Sequence, residues 1–252
     1  MLQSEFNYPR KINFLDFFIA AYVWTVVPLL TIVFASLVIL LSPVAILIDK
    51  KRDLLHNLAT LWARSIVFCN PWWTFEIQGA ENLPPIDTPV VYVANHQSQA
   101  DILSVFLINR QFRWLAKDSL FRVPFLGWAM TAAGYVPVKR GERNSQSECF
   151  KRSREHLNNG TSMLFFPEGT RSKNGKLLPF KNGAFRLANQ AGVAIVPITL
   201  QGANNLLPKG SLIPAVAKVR IKIHQAISST EKSESELLEA ARSAIDSDLP
   251  VH

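Results

Sequence analysis

The sequence predicts an α/β fold, in which a mixed, mostly parallel sheet is flanked by helices and follows two N-terminal helices. Two observations predict the sheet. Beyond residue 73, short β-branched or alternating runs take turns with longer helical patterns. Two of the apolar runs also end in polar turns, as strands that deliver site residues often do. A third observation, the absence of charge from Phe17 to Ile48, predicts a membranous start to the chain.

Composition limits the class of protein. At 252 residues the chain holds one sizeable domain and a short accessory element. A net charge of +8 with 48% hydrophobic residues suits a protein that works on an anionic membrane surface. Nucleic acid is excluded as a partner because no aromatic-rich basic motif or recognition-helix pattern is present. Cys69 and Cys149 fit no metal or redox spacing, which indicates free thiols in a reducing compartment.

The uncharged stretch is long enough to enter a bilayer. Residues 17–41 alone would form a helix of about 37 Å, against a hydrocarbon core of about 30 Å. A cleaved signal peptide has a much shorter apolar region. Cations flank both ends, with Arg10 and Lys11 before the stretch and residues 50–52 after it. Balanced flanks favour a re-entrant or interfacial hairpin with both ends on the cytoplasmic face.

A second helix is predicted directly after this stretch. Asp53, His56, Thr60 and Arg64 form a polar stripe at helical spacing, opposite a face rich in leucine. Such a helix either lies in the membrane interface or packs on the globular domain. The composition changes past residue 70, so the sequence divides into membrane-anchoring helices at 1–70 and an α/β domain at 71–252.

The α/β domain is predicted to alternate strands with helices. The predicted elements are, in order, strand 74–78, strand 90–94, a helix after residue 101, strand 112–116, helix 120–133, strand 135–138, a helix opened by a Ser145–Glu148 capping box and ended by Gly160, strand 163–166, helix 181–191 stopped by Gly192, strand 194–200, strand 217–224, and helix 234–245 opened by a Ser233–Glu236 capping box.

The turn at residues 95–101 carries the first candidate catalytic group. It follows an apolar strand and contains His96, whose unperturbed pKa of about 6.5 suits proton abstraction near neutral pH. Asp101 lies five residues on. The two side chains meet only if His96 lies in the turn and Asp101 in the first turn of the following helix. A carboxylate there would fix the histidine tautomer and stabilise the imidazolium.

A second polar turn follows the apolar strand 163–166 and reads Phe166-Pro167-Glu168-Gly169-Thr170-Arg171-Ser172. Gly169 permits a close backbone approach, and the Arg171 guanidinium is suited to a bidentate phosphate contact. Arg140, in a basic loop, is a candidate for the opposite wall. Two alternatives stay open, namely that Arg140 is a solvated surface charge and that Glu168 pairs internally with Arg171.

Together the two turns resemble the glycerolipid acyltransferase family of the lysophosphatidate acyltransferase type. That family is marked by an NH-x4-D motif and an FPEGTRS motif, and both stand here in full about seventy residues apart. Looser matches are the block 134–141, which contains Arg140, and the strand 195–198. The resemblance covers roughly residues 75 to 225 and favours a two-helix N-terminal membrane motif. It implies that His96 and Asp101 form the catalytic pair.

The resemblance also implies roles for the second turn. Glu168, Gly169, Thr170 and Arg171 would bind the acceptor or shape its site, and Arg140 occupies the family's arginine position. The implied activity is transfer of a fatty acyl group from an acyl thioester to the sn-2 hydroxyl of 1-acylglycerol-3-phosphate, which gives phosphatidate. The thioester is acyl-CoA or acyl carrier protein, and neither a metal nor a cofactor is expected.

The residues support direct transfer without an acyl-enzyme. An alcohol is a poor nucleophile at neutral pH and needs a base within hydrogen-bond reach, which His96 supplies. No G-x-S-x-G elbow is present, and Ser98 is better suited to forming the turn than to acting as a nucleophile. Two other functions remain, an acyltransferase for another lysophospholipid or lyso-aminolipid and a non-catalytic basic membrane-binding protein. An intact His96 and Asp101 argue against the second, since a binder needs no base.

Overall fold

The computed structural model describes residues 14–139, 141–172, 175–207 and 213–250. The helices are α1 (Phe14–Ile48), α2 (Asp53–Phe68), α3 (Asp101–Phe106), α4 (Leu126–Ala132), α5 (Arg143–Asn158), α6 (Gly183–Ala191), α7 (Ala203–Leu206) and α8 (Glu234–Asp246). The strands are β1 (Trp73–Gln78), β2 (Val91–Ala94), β3 (Phe112–Lys117), β4 (Val136–Val138), β5 (Ser162–Phe165), β6 (Ile195–Gln201) and β7 (Ala217–Ile223). The predicted class, a mixed and mostly parallel α/β sheet with a long apolar N-terminal helix, is confirmed.

The seven strands form one sheet in the order β1-β7-β6-β2-β5-β3-β4. Every neighbouring pair is parallel except β6 and β7, which are antiparallel. The central strand β2 is buried along its whole length, as its unbroken apolar run predicts. Because β2 and β5 are parallel neighbours, the turns that follow them lie at the same edge of the sheet. This topology brings the two polar turns together.

Helices cover both faces of the sheet. On one face the apolar side chains of α1, α2, α3 and α4 pack against Tyr92, Leu164 and Val196. On the other face α5, α6 and α8 pack against Val91 and Met163. The alternation of side chains along each strand supplies both cores, because successive residues point to opposite faces.

The N-terminal helices form an antiparallel pair on one face of this sheet. Helix α1 has 35 residues and is therefore about 52 Å long. The uncharged stretch at residues 17–48 lies within this one continuous helix, so the predicted hairpin within it is wrong. Among the described helices it is the one that is long and apolar enough to cross a membrane by length and composition. Trp62 Nε1 donates to Thr31 Oγ1 at 3.1 Å, and Tyr22 OH donates to the Cys69 carbonyl at 2.8 Å. The predicted cationic flank at Arg10 and Lys11 lies outside the described residues.

Helix α2 packs on the globular domain through part of its polar stripe. His56 is fully buried, with Nδ1 3.1 Å from Tyr135 OH and Nε2 3.0 Å from the Arg110 carbonyl oxygen. Burial lowers the His56 pKa well below its ordinary value, and the nearby Arg113 charge adds to this effect. Leu61 on α2 is exposed instead. The structure shows packing on the domain at His56 of this stripe, and the position of α2 in the membrane interface stays a prediction.

A buried arginine fastens the turn between α1 and α2 to the sheet. Arg113 on β3 is fully buried, and its Nη2 donates to the Lys51 carbonyl oxygen and lies 3.3 Å from Asp53 Oδ1. Arg52 adds bonds of 3.2 and 3.1 Å to the carbonyl oxygens of Thr131 and Ala132 at the end of α4. Polar contacts thus supplement the apolar packing of the N-terminal helices.

Two sequence predictions of local structure are wrong. Residues 120–133 do not form one helix, because Pro124 has no amide hydrogen and the chain passes from a short 3-10 helix at Asp118–Arg122 into α4. Ser145 and Glu148 do not form a capping box. Helix α5 begins at Arg143, and Ser145 Oγ accepts from the Lys139 amide at 2.9 Å. The Ser233–Glu236 capping box at the start of α8 is confirmed.

Candidate functional site

The turn after β2 begins with an anchored asparagine. The Asn95 side chain donates to the Leu200 carbonyl oxygen at 2.9 Å and accepts from the Leu200 amide at 2.7 Å. This pair of bonds ties the carboxyl end of β2 to the neighbouring strand β6. Asn95 is buried, so its polar atoms need these partners. The position of His96, the next residue, is therefore fixed by the sheet.

His96 lies in the turn and Asp101 is the first residue of α3, the arrangement that permits contact. His96 Nδ1 is 2.7 Å from Asp101 Oδ2. The same oxygen accepts from the amides of Gln97 and Ser98 at 2.7 and 2.8 Å. Because an ionised carboxylate only accepts, Nδ1 must carry the hydrogen, and the lone pair of Nε2 is left free. The geometry produces the tautomer that a general base requires.

The imidazole ring is held on its face by an aromatic ring. Phe166 stacks on His96 with centroids 4.4 Å apart and planes inclined by 23°. The His96 side chain is 17% exposed, whereas that of Asp101 is fully buried. A partly exposed histidine that is hydrogen-bonded to a buried carboxylate can exchange a proton with a bound molecule while its own orientation stays constant.

Ser98 belongs to the turn. It is buried, its Oγ accepts from the Ala100 amide at 3.2 Å, and its hydroxyl donates to the Leu207 carbonyl oxygen at 3.4 Å. A serine nucleophile would instead point its hydroxyl at the base. These contacts agree with the prediction that Ser98 forms the turn.

Glu168 joins the two turns. One carboxylate oxygen accepts from the His96 amide at 2.6 Å, and the other accepts from the Leu178 amide at 3.0 Å. The Ser172 amide donates back to the His96 carbonyl oxygen at 2.8 Å. Among the ion pairs of the described residues none joins Glu168 to Arg171. The geometry gives Glu168 a positioning role on the backbone of the histidine.

Burial raises the Glu168 pKa to about 7 from its ordinary 4.5, despite the opposing effect of the two backbone bonds. The folded state therefore holds this proton more tightly than the unfolded chain. Stability contributed by the protonated form is present below pH 4.5 and is lost as the pH rises through about 7. At 1.36 kcal/mol per pKa unit the change is roughly 3 kcal/mol.

Glu168→Gln is expected to remove this contribution, because the amide does not titrate. The free energy of unfolding, measured from about pH 4 to pH 8, should fall less steeply with rising pH in the variant than in the wild type. Glu155→Gln, at an exposed position on α5, is the matched control and should leave the profile parallel to wild type. Superimposable profiles for Glu168→Gln and wild type would show that Glu168 does not titrate in this range.

Gly169 makes room for a lysine. Its φ of +67° is one that glycine adopts without strain, and a Cβ at this position would lie 2.8 Å from Lys181 Nζ. The sequence predicts that another group closely approaches the backbone at Gly169. Among the described contacts, that group is the Lys181 side chain. Thr170, the next residue, is exposed.

A cavity of about 840 Å³ opens beside His96. Gly169 and Arg171 contribute to its wall, whereas Glu168 is buried beneath. Lys181 and Arg186 add cationic groups to the same wall. The remainder is largely apolar and is supplied by α1, α2, α3 and α4 together with β3, α5 and α6. Lining residues from these helices include Phe34, Ala35, Val38, Trp62, Phe106 and Met130.

The structure thus brings together His96, Asp101 and Arg171, and it leaves Arg140 outside the described residues. Sequence reasoning missed Lys181, whose position at the start of a predicted helix gave no sign of a site. It also missed the stacking role of Phe166. Among the described residues no group of three or more histidine, cysteine, aspartate or glutamate side chains is arranged to hold a metal.

Fold and site together define a class. The protein is an α/β protein whose histidine–aspartate pair and cationic turn meet at one edge of a mostly parallel sheet, beside a largely apolar cavity. Residues 74–201 match the family model described as acyltransferase. The chain belongs to this acyltransferase family.

Similar proteins support the same assignment. The chain is 44% identical, over 198 residues, to a chloroplastic 1-acyl-sn-glycerol-3-phosphate acyltransferase of Brassica napus, a match that covers 78% of this chain and 57% of the relative. It is 45% identical over 193 residues to the chloroplastic enzyme LPAT1 of Arabidopsis thaliana, covering 76% and 54%. The chain therefore matches between half and two thirds of the length of these relatives.

A solved structure shares the fold. The 1-acyl-sn-glycerophosphate acyltransferase of Thermotoga maritima superimposes with a TM-score of 0.80 at 26% identity. The match covers 92% of this chain and 93% of that one. It therefore includes the N-terminal helices as well as most of the sheet domain.

Proposed function

We propose that this protein transfers a fatty acyl group from an acyl thioester to the sn-2 hydroxyl of 1-acylglycerol-3-phosphate and so forms phosphatidate. The observation that carries the proposal is the His96–Asp101 contact of 2.7 Å. His96 lines a cavity whose wall also contains Arg171. A base, a phosphate-binding cation and an apolar extension are the three features that a lysophosphatidate and a fatty thioester require. The names of the similar proteins add support.

The base acts through its free nitrogen. His96 Nε2 accepts the proton of the acceptor hydroxyl while the alkoxide oxygen attacks the thioester carbonyl carbon. The new C–O bond forms, the C–S bond breaks, and the leaving thiolate recovers the proton from the imidazolium. Asp101 stabilises the imidazolium between these steps through its 2.7 Å contact with Nδ1. No acyl-enzyme is needed.

Arg171 and Lys181 bind the acceptor phosphate. Both line the cavity wall beside the turn that contains Gly169. A guanidinium offers two parallel N–H donors to a phosphate, and an ammonium adds a point charge. The apolar part of the cavity, between the N-terminal helices and the sheet, receives hydrocarbon. Neither a metal nor a cofactor takes part, and the donor is acyl-CoA or acyl carrier protein.

An assay of the purified full chain tests the proposal directly. Lysophosphatidate, other lysophospholipids and a lyso-aminolipid would each be offered with acyl-CoA and with acyl carrier protein. Preferred acylation of lysophosphatidate with either donor is the expected result. A preference for another acceptor would establish the alternative substrate, and no transfer to any acceptor would favour a non-catalytic membrane-binding protein.

Arg171→Lys is expected to raise the acceptor KM roughly 10- to 100-fold, because lysine loses the bidentate contact and charge-assisted bonds are worth about 1.5–3 kcal/mol. The donor KM should stay nearly constant. Full two-substrate kinetics with a phosphate-bearing acceptor and a phosphate-free analogue measure both effects. Arg152→Lys is the matched control, since Arg152 pairs with Glu148 on the surface of α5. Equal losses on both acceptors would show that Arg171 supports the fold.

We also propose that the protein is bound to a membrane, with its α/β domain on the cytoplasmic face. The apolar α1 and the cations at residues 50–52 that follow it support this placement. Cysteines introduced singly at positions 11 and 50, in sealed vesicles of known orientation, should both react with an impermeant reagent from the cytoplasmic side. Reaction from opposite sides would establish a single span.

A further inference from the structure

The segment between β3 and α4, together with the first turn of α4, exposes large apolar side chains. Val123, Phe125 and Trp128 are 43%, 40% and 55% exposed, and contiguous exposed apolar side chains are typical of protein or membrane contacts. The Phe125 and Trp128 rings contact each other with centroids 5.5 Å apart. We name residues 122–128 the aromatic loop. None of its exposed apolar side chains lines the cavity beside His96.

The backbone of this loop is strained where its aromatic tip is presented. Phe125 has φ 60° and ψ −61°, a conformation that bulky residues rarely adopt. A strained conformation persists only when its surroundings enforce it, and such sites are commonly functional. Here Pro124 precedes the strained residue and α4 begins directly after it. The strained residue thus carries an aromatic ring that is 40% exposed.

The aromatic loop lies at the edge of the sheet that carries the candidate site. It follows the carboxyl end of β3, and β3 is parallel to β5 and, through it, to β2, whose carboxyl end leads to His96. Ser119 and Leu120, just before the loop, line the cavity beside His96. The loop therefore stands next to the mouth of the cavity through which substrates reach the base.

Other exposed apolar groups gather at the same edge. Because β6 and β7 are antiparallel, β1 runs opposite to β2 and begins where β2 ends. Phe68, 88% exposed, lies just before β1. Tyr22 of α1 contacts Trp72 with centroids 5.2 Å apart, which places the start of α1, with the exposed Phe17, beside this edge. Helix α4 also packs on α1.

We propose that the aromatic loop is a membrane contact in addition to α1, which inserts Phe125 and Trp128 into the interface of an anionic bilayer and sets the mouth of the cavity against the lipid. The inference rests on the proposed membrane-bound function. Tryptophan prefers the headgroup region of a bilayer. Arg122, whose side chain is 72% exposed, lies in the same loop and forms an ion pair with Asp118. The net charge of +8 favours an anionic bilayer surface.

Lipid quenching tests the contact at single sites. The full chain with Cys69→Ser would carry one introduced cysteine, labelled with an environment-sensitive fluorophore, in vesicles of phosphatidylcholine and phosphatidylglycerol. Phe125→Cys is the test site and Phe17→Cys on α1 is the reference for membrane binding. Ile86→Cys is the matched control, since Ile86 is 71% exposed in the loop before β2, at the opposite edge of the sheet. Cys149 is buried and should not react.

Nitroxide lipids should quench the labels at positions 17 and 125 several-fold and leave the label at position 86 unchanged. Quenching at 17 without quenching at 125 would overturn the aromatic loop as a membrane contact and leave membrane binding intact. Absence of quenching at both sites would overturn membrane binding and the inference with it. Protection of position 125 that depends on protein concentration and not on lipid would mean contact between two copies, which also overturns the proposal.

Activity supplies an independent readout. In the double variant Phe125→Ser and Trp128→Ser, turnover of an acceptor embedded in vesicles should fall roughly 10-fold relative to wild type, while turnover of a short-chain soluble acceptor should not change. Ile86→Ser should alter neither rate. Equal rates of wild type and double variant on the embedded acceptor would overturn the proposal. Retained thermal stability would show that both substitutions leave the fold intact.

Discussion

His96→Ala is expected to lower kcat roughly 10²- to 10⁴-fold, the usual loss when a general base is removed. The reason lies in the arrangement of hydrogen bonds, since Asp101 fixes the hydrogen on Nδ1 and leaves Nε2 free for the acceptor hydroxyl. Both KM values should change little, because the phosphate and the hydrocarbon meet other residues. Steady-state kinetics of the purified variant in vesicles measures the effect.

The control for this variant is a second histidine. His156 is half-buried near the end of α5 and lies outside the cavity beside His96. Burial, together with the charge of Arg113, lowers its pKa to about 4, so it is neutral at pH 7. His156→Ala should keep near-wild-type kcat. If His96→Ala also kept it, with both variants folded, the general-base mechanism would be wrong.

Asp101→Asn is expected to lower kcat by roughly 10²-fold or more, because a neutral amide stabilises the imidazolium less than a carboxylate does. Three N–H groups, on His96 Nδ1 and on the backbone of Gln97 and Ser98, need an acceptor at this position. The asparagine side-chain amide would present a donor to them as well as an acceptor. The turn should therefore loosen, at a cost of about 1–3 kcal/mol in the free energy of unfolding. Kinetics and thermal unfolding of the same preparation separate the two effects.

Ser98→Ala is the matched control for the turn. Its hydroxyl contacts the amide of Ala100 and the carbonyl oxygen of Leu207, but the substitution leaves the His96–Asp101 contact in place. We expect a loss of stability with kcat retained. A large loss of kcat in Ser98→Ala would point to a serine nucleophile and against direct transfer. Asp101→Asn with wild-type kcat would remove Asp101 from the mechanism.

The sequence predicts the sheet well because the order of apolar and polar residues along each strand matches the burial of their side chains. The unbroken apolar run of β2 and the alternation in β7 identify one fully buried strand and one with a wet face. The contact between His96 and Asp101 is also predictable, because five residues suffice for a turn and the first residue of a helix. These features depend on neighbours in the chain.

Features that depend on distant neighbours were not predictable. The burial of His56 requires Tyr135 and the Arg110 carbonyl oxygen, which lie 79 and 54 residues away. The bonds from Glu168 reach His96 and Leu178, at separations of 72 and 10 residues. Spacing within a motif does not reveal such partners. For the same reason the sequence permits a Glu168–Arg171 pair, although in the structure the Glu168 carboxylate accepts from backbone amides instead.

The buried Arg113 has a consequence for how the protein is made and handled. Its charge is enclosed by the turn between α1 and α2, and those helices cover one apolar face of the sheet. Removal of residues 1–70 would uncover this arginine and a broad hydrophobic surface at once. The N-terminal helices are thus an integral wall of the α/β domain, and we expect a chain that begins at residue 71 to need detergent during purification.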